Sequence, residues 1–167
     1  MPKPKKEKAK LTKVKVGLPF GIGEAEWTPD SAERDAAWRL YVELVTRIAV
    51  QELPDEHGLL REALASLYTL FGTTREILKD AGPQVGAKIP TIGGLAIRVL
   101  NRGLRPFLAK WHPLLLSWEA QRPVDKSASD HENAWQHGKQ LRAELAELRK
   151  QLASYARALG AAAGVEE

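Results

Sequence analysis

The chain has 167 residues, 44% hydrophobic and 28% charged, with no cysteine and a formal net charge of +4 at pH 7. That length fits one globular domain with a tail, and the absence of cysteine excludes a disulfide framework, a thiolate zinc site, an iron–sulfur cluster and a cysteine nucleophile. No apolar run approaches the ~20 residues of a membrane-spanning helix, and the basic start leads over 17–27 into glycines, a proline and two glutamates where a signal peptide would be apolar, so the expected location is the cytoplasm.

The charge is uneven. Lys3, Lys5, Lys6, Lys8, Lys10, Lys13 and Lys15 stand in the first 15 positions beside a single acid, Glu7, and the remainder carries 18 basic against 20 acidic residues. The pI near 9.4 therefore belongs to the tail. A lysine run without arginine or aromatic residues offers point charges to phosphate backbones or acidic surfaces but cannot pair bidentately with bases. Residues 1–27 are expected to be a basic disordered tail followed by an extended segment. Residues 11–16 alternate apolar and polar as a strand does, yet no second strand is evident to pair with them. The segment is expected to wrap along the domain, anchored by Leu18, Phe20, Ile22 and Trp27, with addition to the sheet edge of another chain as the alternative.

Four helical stretches follow. Thr28 with Pro29 reads as a helix start, and Ala37, Trp38, Tyr41, Leu44, Val45 and Ile48 recur at three and four, predicting a helix over 29–51. Over 55–81, Leu60, Leu64, Leu67, Phe71, Thr74 and Leu78 keep a 4-3-4-3-4 spacing up to a Gly82-Pro83 stop. Gly72, Thr73 and Thr74 predict an irregularity in mid-helix. The third stretch, 91–120, repeats Ile97, Leu100, Leu104, Phe107, Trp111, Leu114 and Trp118 in heptads but contains Gly103, Pro106 and Pro113, which predict either a kinked helix or two pieces meeting near 103–106. The fourth begins at a capping box, Ser129-x-x-Glu132, and continues through Leu141, Leu145, Leu148, Leu152, Tyr155 and Leu159, with 161–167 expected to fray. The expectation is an all-α antiparallel up-down-up-down four-helix bundle over 28–160, with a proline-kinked third helix.

Chemical motifs are scarce. The residues three before His57, His112, His131 and His137 are Pro54, Ala109, Ala128 and Ala134, so the Glu-x-x-His pairs of a di-metal bundle are missing. Neither a His-Glu-x-x-His helix, a Gly-x-Ser-x-Gly elbow nor a phosphate-binding loop is present. Asp130, His131, Glu132 and His137 read as ordinary helix-start residues. Trp111-His112-Pro113 suggests a small polar pocket beside proline-freed carbonyls, or core tryptophans with a capping histidine. No catalytic residue, metal or cofactor is expected.

The strongest interaction signal is 81–117, which holds Lys88, Arg98, Arg102, Arg105 and Lys110 and no acid. Arg98, Arg102 and Arg105 are four and three apart, on one helical face that His112 continues. Either these arginines pair with Glu43, Glu62, Glu144 or Glu147 on other helices, or they face a partner. The leading expectation is a non-enzymatic interaction module or adaptor of prokaryotic type that binds a protein through Arg98, Arg102, Arg105 and His112. One alternative is an accessory nucleic-acid binder using the lysine tail and the arginine row. Another is a membrane-active or signalling helical module of a bacterial toxin or defence system, whose candidate segment is the third helix with Trp111 and Trp118.

Overall fold

The computed structural model describes residues 12–47, 49–52, 54 and 57–165. Helices take 67% of these residues, and the one sheet among them has two strands.

That sheet is the first departure from expectation. Strand β1 (Val14–Leu18) pairs antiparallel with β2 (Gly23–Trp27), Val14 opposite Trp27 and Leu18 opposite Gly23. Gly-Glu-Ala-Glu-Trp is poor in strand-forming residues, so its pairing depends on the turn. Phe20 and Gly21 both have positive φ, 57° and 66°, and the Ile22 N–H donates to the Pro19 carbonyl at 3.2 Å, the geometry that matches strand twist in tight hairpins. The tip is held from two sides. Phe20 N–H donates to Gln151 Oε1 at 2.9 Å, and its ring lies so close to Gly103 that any Cβ there would collide with it. Lys13 pairs with Glu26 and Lys15 with Glu24, while Lys3, Lys5, Lys6, Lys8 and Lys10 lie outside the described residues.

Helix α1 (Ser31–Val45) starts at Asp30, not Thr28. Glu33 N–H donates to Asp30 Oδ1 at 2.8 Å and Asp30 N–H returns to Glu33 Oε2 at 3.2 Å, a reciprocal cap that outcompetes the Thr28-Pro29 start. Its buried face is Ala36, Ala37, Leu40 and Leu44. Trp38, expected in the core, is 51% exposed and stacks on Tyr41 at 5.9 Å. Ile48 lies outside the described residues.

Helix α2 (Leu60–Ala81) runs without a break through Gly72–Thr74. The Thr69 and Thr73 hydroxyls donate to the carbonyls four residues back, at 2.9 and 3.3 Å, and so remain compatible with the helix. The expected stripe is buried from Leu60 to Thr74. Helix α3 (Ile92–Arg98) passes through a π-helical stretch, Val99–Leu104, into α4 (Arg105–Glu119). The wider turn sits directly before Pro106, whose missing N–H falls in the first turn of α4.

The last stretch is two helices, α5 (Ala128–Asn133) and α6 (Gly138–Ala163). Ser127, not Ser129, caps α5, accepting from Asp130 N–H at 3.1 Å. Helix α6 continues past 160 to Gly164, whose φ of 78° closes it, with Val165 N–H donating to the Gly160 carbonyl at 2.9 Å.

Contacts between helices fix their neighbours. Arg39 on α1 reaches Asp80 on α2 at 3.0 Å, and Arg47 just beyond α1 reaches Thr73 at 3.0 Å. A Cβ on Gly160 of α6 would touch the Tyr41 ring of α1. Arg61 on α2 meets Glu119 on α4, and Lys110 on α4 meets Glu144 on α6. The interior is one continuous apolar cluster that includes Leu40, Leu64, Leu95, Leu104, Trp111, Leu115 and Leu145, each leucine contributing ~1.5–3 kcal/mol by burial. Among the described residues, no helix is long and apolar enough to cross a membrane.

Candidate interaction surface

The arginine row depends on how α3 begins. Thr91 Oγ1 accepts from Gly94 N–H at 3.1 Å, and Glu33 Oε1, reaching across from α1, accepts from Ile92 N–H at 3.0 Å and Trp27 Nε1–H at 3.3 Å. A carboxylate at a helix start answers both the unpaired N–H groups and the positive end of the dipole. With its start fixed, the 92–119 segment turns Leu95, Val99, Leu104, Leu108, Trp111 and Leu115 inward and leaves Arg98, Arg102 and Arg105 exposed.

The pairing of these arginines with acids on other helices is not what forms. Glu43 binds Arg47 at 2.7 Å, Glu144 binds Lys110 at 2.6 Å and Glu147 binds Lys150 at 3.1 Å. Among the described residues Glu62, Arg98 and Arg102 have no ion pair. Arg105 bonds only to the neutral Asn101 Oδ1, through Nε at 3.3 Å and Nη2 at 3.2 Å. Its guanidinium lies 5.4 Å from the centroid of the Phe71 ring, and that of Arg75, from α2, lies 5.7 Å from the same centroid.

His112 departs from the row. Half-buried, it faces α2, with Nδ1 at 3.2 Å from Arg61 Nη1 and its ring 6.0 Å from that of Tyr68. A guanidinium can only donate, so Nδ1 takes the acceptor role in this contact. Between α2 and α4 runs a groove of about 630 Å³, floored by Phe71 and Leu108 and edged by Gly72 and Ala109, with Arg75 and Arg105 toward one end and Tyr68 and His112 toward the other. Arg105 and His112 share this groove, while Arg98 and Arg102 lie outside its lining. Its α2 wall escapes the sequence reading because Tyr68, Gly72 and Arg75 sit off the core stripe. The one signal pointing to it is a glycine in mid-helix.

Trp111 and His112 do not form a common pocket. Trp111 is buried, and its Nε1–H donates to Glu144 Oε2 at 2.8 Å. The hydrogen bond from Lys110 chiefly holds the Glu144 carboxyl below its ordinary range, against the opposing effect of burial, with Trp111 and Gln140 assisting.

The Asp130-His131-Glu132 run faces several ways. His131 stacks on Trp118 at 4.3 Å, and the two exchange hydrogen bonds of 2.7 Å, Trp118 Nε1–H to the His131 carbonyl and His131 Nε2–H to the Trp118 carbonyl. Glu132 is 7% exposed. Its Oε1 accepts from Leu60 N–H at 2.7 Å, its Oε2 lies 3.4 Å from Arg61 N, and Arg142 stands 3.8 Å away. Leu59 gives α2 no side-chain cap, so Glu132 supplies it. Among the described residues, no three His, Asp or Glu are grouped to hold a metal ion. No family model, curated protein or solved structure matches this chain.

Proposed function

We propose that this protein is a non-enzymatic helical interaction module, a cytoplasmic adaptor of prokaryotic type, that binds a protein partner across the outer face of the 92–119 segment. In this reading the long helical units form an antiparallel up-down-up-down four-helix bundle whose third member bends at Pro106. Its interior is occupied by packing, which leaves the outer faces for recognition. The observation that carries the reading is the row Arg98, Arg102 and Arg105, exposed on a stretch without acids and without an ion pair among the described residues. Arginine is enriched at binding hot spots, and its fork is suited to carboxylates.

The nucleic-acid alternative draws on the same row and on the lysine tail, but Lys13 and Lys15 are paired with Glu26 and Glu24, which shortens the free polycation. The membrane alternative needs the apolar face of α4, where Leu108, Trp111 and Leu115 are buried, to leave the core. The test is Arg98→Glu/Arg102→Glu/Arg105→Glu, compared with the parent chain by thermal melting and by affinity capture from native lysate over a salt series. The expected result is an unchanged melt, loss of the captured protein and a shallow salt dependence in the parent. Capture of nucleic acid alone, with affinity falling steeply with salt, or an unaltered protein catch by the triple variant, overturns the reading.

A further inference from the structure

We propose that the groove between α2 and α4 is the seat of an acidic amphipathic helix presented by a partner protein. This inference rests on the 92–119 segment being a partner surface and names the chemistry that the surface takes. Arg75 and Arg105 approach one ring, Phe71, from two different helices. Neither makes an ion pair among the described residues. Their charges reinforce each other at that end of the groove, which makes it a place for a carboxylate.

Beside the arginines, the groove offers apolar surface at Phe71 and Leu108 and at Tyr68, which is 66% exposed. Gly72 lowers the helix propensity of α2 although a Cβ there would meet nothing within 4 Å. The open space leaves room for another backbone to approach closely. The arginine row and the apolar floor therefore follow one another along the 98–113 stretch, joined at Arg105, so that a helix laid along it meets charge over its first turns and apolar surface over its next ones.

The extent of the row decides between a small anion and a helix. A single carboxylate would engage Arg75 and Arg105 and leave Arg102 and Arg98 unused. These continue the row in steps of three and four residues, about 10 Å at the rise of a helix. Acidic residues at i, i+4 and i+7 of a helix lying along the 98–113 stretch match that length, and leucine-like residues in its following turns fall into the groove, which runs on from Arg105 to Pro113. A phosphate backbone would satisfy the arginines but leave the groove empty.

The experiment uses the full chain and a fluorescein-labelled synthetic helical peptide with Glu at i, i+4 and i+7 and Leu at i+11, i+14 and i+18, read by anisotropy. A scrambled peptide of the same composition and a labelled duplex DNA are the comparisons. Binding of the ordered peptide is expected to fall at least tenfold in Arg75→Glu/Arg105→Glu and in Ala109→Trp, and at least tenfold on scrambling. Ala109 is exposed, so Ala109→Trp should melt within about 2 °C of the parent, as surface changes do. Gly72→Met provides a second plug on the other wall should that variant unfold.

No binding by the parent, equal binding of the scrambled peptide, or undiminished binding by the folded plugged variants overturns the proposal. Tighter binding of DNA, unaffected by the plug, replaces the peptide with a phosphate backbone. If Arg98→Glu/Arg102→Glu abolishes capture of the native partner while the plugged variants capture it normally, the interaction module stands and the groove falls.

Discussion

Replacing Glu132 by alanine removes the only side-chain cap that α2 has among the described residues. The carboxylate accepts from Leu60 N–H at 2.7 Å and lies 3.4 Å from Arg61 N, where Leu59 offers nothing. Losing a cap costs ~0.5–2 kcal/mol, and stranding a buried N–H costs ~1–3 kcal/mol. These terms overlap, and the expected loss is about 3 kcal/mol, or roughly 6–12 °C in melting temperature for a domain of this size. Glu132→Gln keeps an oxygen for Leu60 N–H and gives up the charge facing the helix dipole, at about 1 kcal/mol. Urea unfolding followed by circular dichroism gives the two free energies, and hydrogen exchange at Leu60 and Arg61 reports the cap itself. A loss below about 0.5 kcal/mol in the alanine variant, the ordinary scatter of surface changes, would refute the assignment. So would equal damage from glutamine and alanine, or unchanged exchange at these two amides.

Tyr155 carries a buried hydroxyl with no hydrogen-bond partner, and burial pushes its ionisation well above the ordinary range. Tyr155→Phe should therefore be neutral or raise stability by up to ~1 kcal/mol, and a clear drop in the urea midpoint would show that the hydroxyl is satisfied after all. Glu144 titrates below its ordinary value of 4.5 chiefly because Lys110 bonds to it. Its stabilising contribution is thus complete above the unfolded value and lost as pH falls through the lower, folded value. Lys110→Gln should flatten that acid loss of stability, and identical acid unfolding profiles for the variant and parent would contradict the coupling.

Helices α2 and α6 were legible because their core residues recur strictly, whereas the equally strict heptads of the 92–119 segment were right only in part: Leu100, Leu104 and Trp111 are buried but Ile97 and Leu114 are exposed, and beyond the π-helical turn the buried positions are Leu108 and Leu115. Leu60, Leu64, Leu67, Phe71 and Thr74 on α2, and Leu141 through Leu159 on α6, are the buried stripes that the spacing predicts. In α1 the expected face was right only in part: Ala37 and Leu44 are buried as the spacing predicts, but Ala36 and Leu40 take the rest of the buried face while Trp38 stands outside. The second strand was hidden because its pairing is imposed by the turn at Phe20-Gly21 and by Gln151, not by its own residues. Of the surface, the arginine row could be read from position alone. Its neighbours Phe71 and Arg75 come from another helix, and three of the acids proposed to neutralise it, Glu43, Glu144 and Glu147, are engaged by nearer cations. Glu132 was read as a local capping residue; its real donors lie 72 and 71 residues earlier, a distance that no local pattern encodes.

The two carboxylates that start other helices also impose a timetable on vectorial synthesis. Glu33 is made 59 residues before Ile92, so α3 emerges to find its cap already in place. For α2 the sequence of events is reversed, since Leu60 precedes Glu132 by 72 residues, roughly 4–14 s at the usual pace of translation. Throughout that interval the first turn of α2 has no anionic partner from α5. A nascent chain halted before residue 132 should thus carry a secured α3 and an open α2 start, and the arrival of α5 is the step that closes that start.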